Sequence, residues 1–154
     1  MRYLWCLLLV LWVGQAVAQS VAPREGWVVI HTDKPFAQLL DDLKAAVKDN
    51  AFAVVTQAGP TGAARNRGIE IPNNRVVGVF NNIYAVRILE ASVSAMIEAP
   101  IRFYLTEDEV GTTLSYKTPG FVFQPYALDA ADDLMVAAGE LDTVFSAIAT
   151  AATR

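Results

Sequence analysis

Apolar positions recur with two spacings along this chain, and the spacing predicts where strands and helices lie. Five short segments are rich in β-branched and aromatic residues, which is typical of strands: residues 27–32, 52–57, 75–80, 101–106 and 112–118. Longer segments from Phe36 to Asn50, over 84–98 and over 129–153 repeat apolar residues every three or four positions and predict helices. This order predicts an α+β two-layer domain, with one mixed or mostly antiparallel sheet of about five strands and helices packed on one face.

Each predicted helix carries an apolar stripe that should face the sheet. In the first helix the stripe is Phe36, Leu39, Leu40, Leu43 and Val47. In the second, which Asn81 or Asn82 would cap, it is Val86, Leu89, Val93, Met96 and Ile97. In the third it is Leu134, Ala138, Leu141, Phe145, Ile148 and Ala152. Asn50 is placed to end the first helix in a left-handed conformation.

The first eighteen residues have the pattern of a secretory signal. Arg2 supplies a positive start, residues 3–13 form a short apolar run, and residues 16–18 read Ala-Val-Ala, a small-x-small cleavage site. We therefore expect cleavage after Ala18, a periplasmic or secreted location, and a single domain over 19–154. An uncleaved anchor helix is the alternative. Cys6 lies inside the apolar run, so the mature chain has no cysteine and no disulfide.

The charge of the chain indicates which classes of partner it is suited to bind. Its net charge is −4, and no run of lysine or arginine occurs. An acidic chain without a basic cluster lacks the electrostatic surface that attracts nucleic acid or anionic lipid. The sequence therefore predicts no nucleic-acid partner, and no membrane partner once the signal has been removed.

The segment 62–87 concentrates polar side chains and glycines between two apolar elements. Arg65 and Arg67 stand beside glycines, and guanidinium groups in such a loop can hold a carboxylate, sulfate or phosphate. A surface ion pair between Arg65 and Glu70 is the alternative. In the same segment, Gly78 interrupts the third predicted strand, which indicates a bulge or a close approach by another backbone or a ligand.

Four further polar side chains stand near predicted strand ends or the start of the second helix: Asn82, Tyr84, Tyr104 and Tyr116. A buried phenol needs a hydrogen-bond partner, and Asn82 is a candidate partner for Tyr116. If the strand ends lie on the same side, Arg65, Asn82 and Tyr116 converge beside the first turn of the second helix, which favours an anion. The set predicts either the polar end of a mostly apolar pocket or a structural network that closes one end of the sheet.

His31 is the only histidine in the chain. With no cysteine in the mature chain, one histidine excludes a multi-histidine zinc or copper site within one subunit. Two copies of His31 in a dimer, or one axial haem ligand, stay open as alternatives to a structural strand histidine. No nucleophile elbow, zinc-protease motif or phosphate-binding loop occurs. The sequence predicts no cofactor.

Several local motifs follow one another in a defined order over 26–149. They are AARNRGIEIP at 63–72, FNN at 80–82, an Ala-Pro pair at 99–100, IRFYL at 101–105, an acidic turn with glycine, and SY at 115–116. With this order the chain resembles the domain-of-unknown-function 302 family, DUF302. Ala51 and Asn81 stand where the family often has glycine, and Ile83 where it usually has proline. The resemblance implies an α+β domain that often pairs as a dimer, and it implies no established activity.

These observations give one leading functional interpretation and two alternatives. The leading one is an exported, non-catalytic and dimeric domain, either structural or binding a small anionic or amphipathic ligand. The candidate ligand-binding residues are Arg65, Asn82, Tyr116, Tyr104, Arg67 and Tyr84. The alternatives are a haem- or metal-binding periplasmic protein that uses His31, and an enzyme of unknown class that uses tyrosine as an acid and arginine as an electrophile.

Overall fold

A computed structural model of the chain describes residues 21–128 and 130–154. The predicted signal over 1–18 and its cleavage site lie outside the described residues. The strands are β1 Trp27–Thr32, β2 Ala53–Ala58, β3 Asn74–Phe80, β4 Ile101–Asp108 and β5 Gly111–Lys117. The α-helices are α1 Phe36–Asp49, α2 Thr61–Arg65, α3 Asn82–Ala91, α4 Pro119–Phe123 and α5 Asp133–Thr153. Short 3₁₀ helices cover Ser94–Glu98 and Gln124–Tyr126.

The five strands form one sheet in the order β1-β5-β4-β3-β2, and every neighbouring pair is antiparallel. The β4–β5 hairpin forms its centre and turns tightly, because Asp108 pairs with Gly111 and accepts hydrogen bonds from the N–H groups of Val110 and Gly111. Side chains alternate between the two faces of a strand. The predicted α+β fold with a mostly antiparallel sheet is confirmed.

One face of the sheet is buried against the helices. The stripes predicted for α1 and α5 are confirmed, since all their members except the half-buried Leu40 are buried. Phe103 and Phe145 stack with ring centroids 4.8 Å apart, which joins the centre of β4 to α5. This aromatic contact fixes which face of the sheet is covered. The opposite face carries no member of this core.

Helix α5 is the one described helix that is long and apolar enough, by length and composition, to cross a membrane. Eight of its side chains are buried, and it contacts α1, α3 and α4. Such burial is typical of the central helix of a packed core. We therefore interpret α5 as a core helix.

The end of α1 differs from the sequence expectation. Asn50 has a right-handed backbone, and Ala51 adopts the left-handed conformation with φ of 62°. The N–H groups of Ala51 and Phe52 donate to the carbonyl oxygens of Lys48 and Val47, both at 3.0 Å. This is a Schellman motif with alanine where glycine is favoured. The predicted role of Asn50 was therefore wrong by one residue.

The second predicted helix is divided in two. Helix α3 ends at Ala91 because Ser92 is extended, and the Ser92 hydroxyl then accepts from the N–H of Ala95, which starts the 3₁₀ helix Ser94–Glu98. The predicted buried stripe was wrong: Ala85, Ile88 and Ala95 are buried, Met96 is partly buried, and the other four members are exposed, namely Val86, Leu89, Val93 and Ile97. The small alanine side chains let this segment pack closely against the core. Close packing therefore decides which side of the segment is buried, and the larger apolar residues stay exposed.

Candidate functional site

The uncovered face of the sheet presents its side chains in three transverse rows, which follow from the strand register. The first row contains two cations and is Trp27, Lys117, Arg102, Gly78 and Thr56. The middle row is uncharged and is Val29, Ser115, Tyr104, Val76 and Ala58. The third row contains His31, Thr113, Thr106 and Asn74. Successive rows lie two residues apart, about 6.6 Å along the strands.

A concavity of about 730 Å³ lies along this face. Its lining draws on all three rows and on both ends of the sheet: Trp27, Ala58, Gly59, Pro60, Asn74, Val76, Glu98, Ile101, Arg102, Tyr104, Ser115, Tyr116, Lys117 and Val122. In the middle row, the small Ser115 lies between Val29 and Tyr104, and the small Ala58 lies beside Val76 at the β2 edge. Most of the lining is apolar, and a volume of this size is typical of sites for small organic molecules.

Gly78 lets the first row pack closely near β2. A side chain at this position would collide with the hydroxyl of Thr56 and the ring of Pro100. The bulge in β2 lies between Val54 and Thr56, next to the Thr56–Gly78 pair. The predicted bulge is confirmed on the neighbouring strand. The close approach to Gly78 is made by the side chains of Thr56 and Pro100 and not, as predicted, by another backbone or a ligand.

One end of the concavity is cationic. Continued one residue beyond the Phe103–Tyr116 pair, the β4–β5 register places Arg102 opposite Lys117. Neither side chain forms an ion pair with another described residue. The ammonium of Lys117 lies 5.6 Å from the centre of the Trp27 ring, and the guanidinium of Arg24 lies 5.0 Å from it. The indole is therefore held between the ends of β1 and β5 by cation–π contacts.

The other polar groups of the lining are largely occupied by internal hydrogen bonds. The buried Ser115 hydroxyl donates to the Tyr104 carbonyl at 3.3 Å. The Tyr126 hydroxyl donates to a carboxylate oxygen of Glu98 at 2.8 Å, and this bond raises the pKa of Tyr126. The Asn74 amide donates to the Pro72 carbonyl, which leaves its own carbonyl oxygen as an acceptor. Among the described residues, unpaired positive charge therefore lies at one end of the concavity, and a free acceptor, the Asn74 side-chain oxygen, lies at the other.

Two of the six predicted ligand residues line the concavity, Tyr104 and Tyr116. Tyr104 lies in the centre of the middle row. Tyr116 is only 4 % exposed, and its ring packs against Phe103 and Phe145 at 5.2 and 5.8 Å between centroids. Burial, with a smaller contribution from the Asp142 carboxylate, raises the pKa of Tyr116. Its ring therefore belongs to the helix-side core.

Arg65 and Arg67 lie at the opposite end of the sheet from Asn82. Helix α2 follows β2 and is tied to the start of β3, because the Thr61 hydroxyl donates to the Pro72 carbonyl and accepts from the Asn74 amide. Asn82 follows the other end of β3, about 20 Å away along the strand. Both arginine side chains are exposed. The predicted convergence of Arg65 with Asn82 and Tyr116 was therefore wrong, because β2 and β3 are antiparallel.

Asn82 and Tyr84 lie at the start of α3. Asn82 is exposed, no hydrogen bond joins it to Tyr116 within the described ranges, and Asn81 caps the helix through its side-chain oxygen. Tyr84 stacks on Phe52 with centroids 6.0 Å apart. Burial, and then the Glu140 carboxylate, raise the pKa of Tyr84. These side chains form a structural junction between α3 and the core rather than a part of the concavity.

Arg87 ties α3 to α5 near this junction. Its guanidinium donates to carboxylate oxygens of Asp133 at 2.9 Å and of Glu140 at 2.7 Å. The two charge-assisted contacts raise the pKa of Arg87 and lower the pKa values of both acids. The cation is therefore neutralised and is not available to a ligand.

His31 lies at the far end of β1, and its Nδ1 is 2.8 Å from the Thr113 hydroxyl. It borders a separate hollow of about 360 Å³ with Asp33 and Asp108. Across residues 21–128 and 130–154, no group of three or more metal-ligating side chains comes together. Nothing in this geometry favours the metal or haem alternative.

Sequence reasoning missed the residues that define the site, namely Trp27, Val76, Arg102 and Lys117. Arg102 and Lys117 are single cations in alternating strands, which is also the pattern of an ordinary solvated face. Their pairing becomes visible only when the β4–β5 hairpin is aligned through its turn. That alignment was the one signal that could have found them.

Comparisons with known proteins agree with this fold. The profile of the family described as "Domain of unknown function DUF302" matches residues 28–148. The crystal structure of an uncharacterised conserved DUF302 protein from Bacillus stearothermophilus superposes with a TM-score of 0.74 at 14 % identity, covering 85 % of this chain and 100 % of that one. A search of curated proteins finds no significant match. Because the family profile spans most of the sequence, the chain belongs to the DUF302 family.

Proposed function

We propose that this protein is an exported, non-catalytic domain that binds a small, largely apolar molecule in the concavity on the open face of its sheet. The observation that carries the proposal is the cavity of about 730 Å³ lined by Trp27, Val76 and Tyr104. Apolar concavities with a few polar groups are the usual sites of small-molecule binding. The leader pattern over 1–18 supports export, and N-terminal sequencing of the exported protein should return Gln19 as its first residue.

The polar groups of the lining support binding rather than catalysis. The Ser115 hydroxyl is directed to a backbone carbonyl, and the only histidine of the chain bonds to Thr113 outside the lining. An activated nucleophile requires a base within hydrogen-bond reach. Ser115 has no such base among its contacts in the described chain.

Trp27 provides a direct assay, because it is the only tryptophan outside the predicted leader. The neutral fluorescent probe N-phenyl-1-naphthylamine should bind with one-to-one stoichiometry and receive excitation energy from Trp27. The Trp27→Phe variant should lose the energy transfer, and Tyr104→Ala should weaken binding. Near-UV circular dichroism confirms that each variant keeps its packing. Absence of saturable binding by the folded protein would overturn the proposal.

We also propose that the protein forms a homodimer through the exposed apolar side chains of α3 and the 3₁₀ helix that follows it. This apolar surface consists of Ile83, Val86, Leu89, Val93 and Ile97. Three members are more than 70 % exposed: Ile83 at 72 %, Val93 at 78 % and Ile97 at 80 %. Large apolar side chains grouped in one segment are typical of association surfaces, whereas monomers expose them singly. The family resemblance noted above favours a second copy as the occupant.

A further inference from the structure

We propose that the ligand of the concavity carries a carboxylate, and that Arg102 and Lys117 hold it. This inference rests on the binding function proposed above and adds the chemical class and the orientation of the ligand. The carboxylate would lie over the first row, and the apolar body would extend across the middle row toward Asn74.

The pairing of like charges is the first observation that supports an anion. Arg102 and Lys117 both line the concavity on adjacent strands, at the opposed positions one residue beyond the Phe103–Tyr116 pair. Like charges directly opposite in a sheet are destabilising unless something neutralises them. The described ion pairs involve Lys34, Lys44 and Arg87, so these two cations have no protein counterion among the described residues.

The overall negative charge of the protein makes the local excess of positive charge at Arg102 and Lys117 stronger support for an anionic ligand. The chain has 16 acidic and 12 basic residues, so a cation should readily find a carboxylate on such a surface. Glu98 is the one acidic residue in the lining, and one of its oxygens already accepts from Tyr126. A planar guanidinium beside an ammonium matches the two oxygens of a carboxylate, and charge-assisted hydrogen bonds of this kind are strong.

The remaining rows define the rest of the ligand. The middle row offers Val29, Tyr104, Val76 and Ala58 as an apolar floor, and it contains no charge. From the first row to Asn74 in the third row the distance is about 13 Å along the strands. A flat or extended apolar body of that length, with its acid at one end, fits this arrangement. The contacts of Arg24 and Lys117 with the indole keep Trp27 beside the acid group.

A matched ligand pair tests the inference. We would titrate the exported protein with 4-phenylbutyrate and with its neutral amide, and follow Trp27 emission and heat of binding. The acid should bind about tenfold more tightly than the amide, as expected for partly exposed charge-assisted hydrogen bonds. In the Arg102→Gln/Lys117→Gln double variant, this preference should fall to within about twofold. Affinity for the amide should not change.

Arg67→Gln is the control, because it removes one exposed cation from the opposite end of the sheet and should keep the full preference. Equal affinity of the native protein for acid and amide would overturn the carboxylate assignment and leave the binding function intact. A preference that survives in the double variant would overturn the assignment to Arg102 and Lys117. If the acid, the amide and N-phenyl-1-naphthylamine all fail to bind, the proposed function fails with it.

Discussion

Replacing Ala51 by glycine should stabilise this protein, although the substitution removes a methyl group. Ala51 has φ of 62° and follows α1 at the position where a Schellman motif favours glycine. A non-glycine residue in the left-handed region costs about 1–2 kcal/mol. Ala51 is exposed and its side chain belongs to no buried cluster, so the substitution loses little packing.

The gain is reduced by the unfolded chain, because glycine gives it more conformational freedom. This extra entropy of the unfolded chain lowers the free energy of unfolding by about 0.4–1 kcal/mol. The difference leaves a net stabilisation of about 0.5–1 kcal/mol, which corresponds to a rise in Tm of a few degrees for a domain of this size. Two-state urea unfolding should show a higher midpoint with an unchanged m value.

Ala45→Gly supplies the matched control in the same helix. Ala45 is exposed in the interior of α1, where the backbone is right-handed. Glycine at such a position should destabilise the protein by about 0.5–1 kcal/mol. Changes of opposite sign in the free energy of unfolding for the two substitutions support the reasoning. If Ala51→Gly destabilises the protein as much as Ala45→Gly does, the left-handed assignment of Ala51 is refuted.

Three further predictions concern α3 and the 3₁₀ helix that follows it. Asn81→Ala should cost about 0.5–2 kcal/mol in urea unfolding, since Asn81 caps α3 and also donates to the Ala51 carbonyl at 3.0 Å; no loss would contradict the cap. Arg87→Gln should destabilise the protein more at pH 7 than at pH 3: the lowered pKa values of Asp133 and Glu140 add stability that is fully present above their ordinary pKa values and declines as pH falls toward the folded values. An equal deficit at both pH values would contradict this account. Ile97→Glu should convert a dimer into a monomer in light scattering while its near-UV circular dichroism is retained, and a monomeric parent protein would overturn the dimer.

The sequence patterns that predicted the fold correctly were those in which apolar residues lie on only one face of the helix or strand. Helix α5 buries its large residues along a single stripe, and β4 alternates apolar Ile101 and Phe103 with Arg102. Helix α3 was predicted wrongly because both of its sides carry apolar residues. The side with Ala85 and Ile88 is the one buried in the packed protein, and periodicity alone does not distinguish which of the two apolar sides is buried.

The site was predicted less well because it depends on strand order. Proximity in sequence placed Arg65 near Asn82, but the antiparallel pairing of β2 and β3 puts these residues at opposite ends of the sheet. Tyr104 was identified correctly as a lining residue, since its position in β4 places it opposite the buried Phe103 and Leu105. The residues of β1 join the site only through long-range pairing with β5, which no local pattern encodes.

The central claim is that the open face of the sheet binds a small molecule, and amide chemical-shift mapping tests it most directly. A ¹⁵N-labelled sample would be titrated with 4-phenylbutyrate. We expect the largest saturable shifts at Val76, Tyr104 and Ser115, which form the floor of the concavity. We expect none at Ala45 or Lys48, which lie on the exposed side of α1 over the other face of the sheet. Shifts confined to residues outside the open face, or no saturable shift at any residue, would contradict the claim.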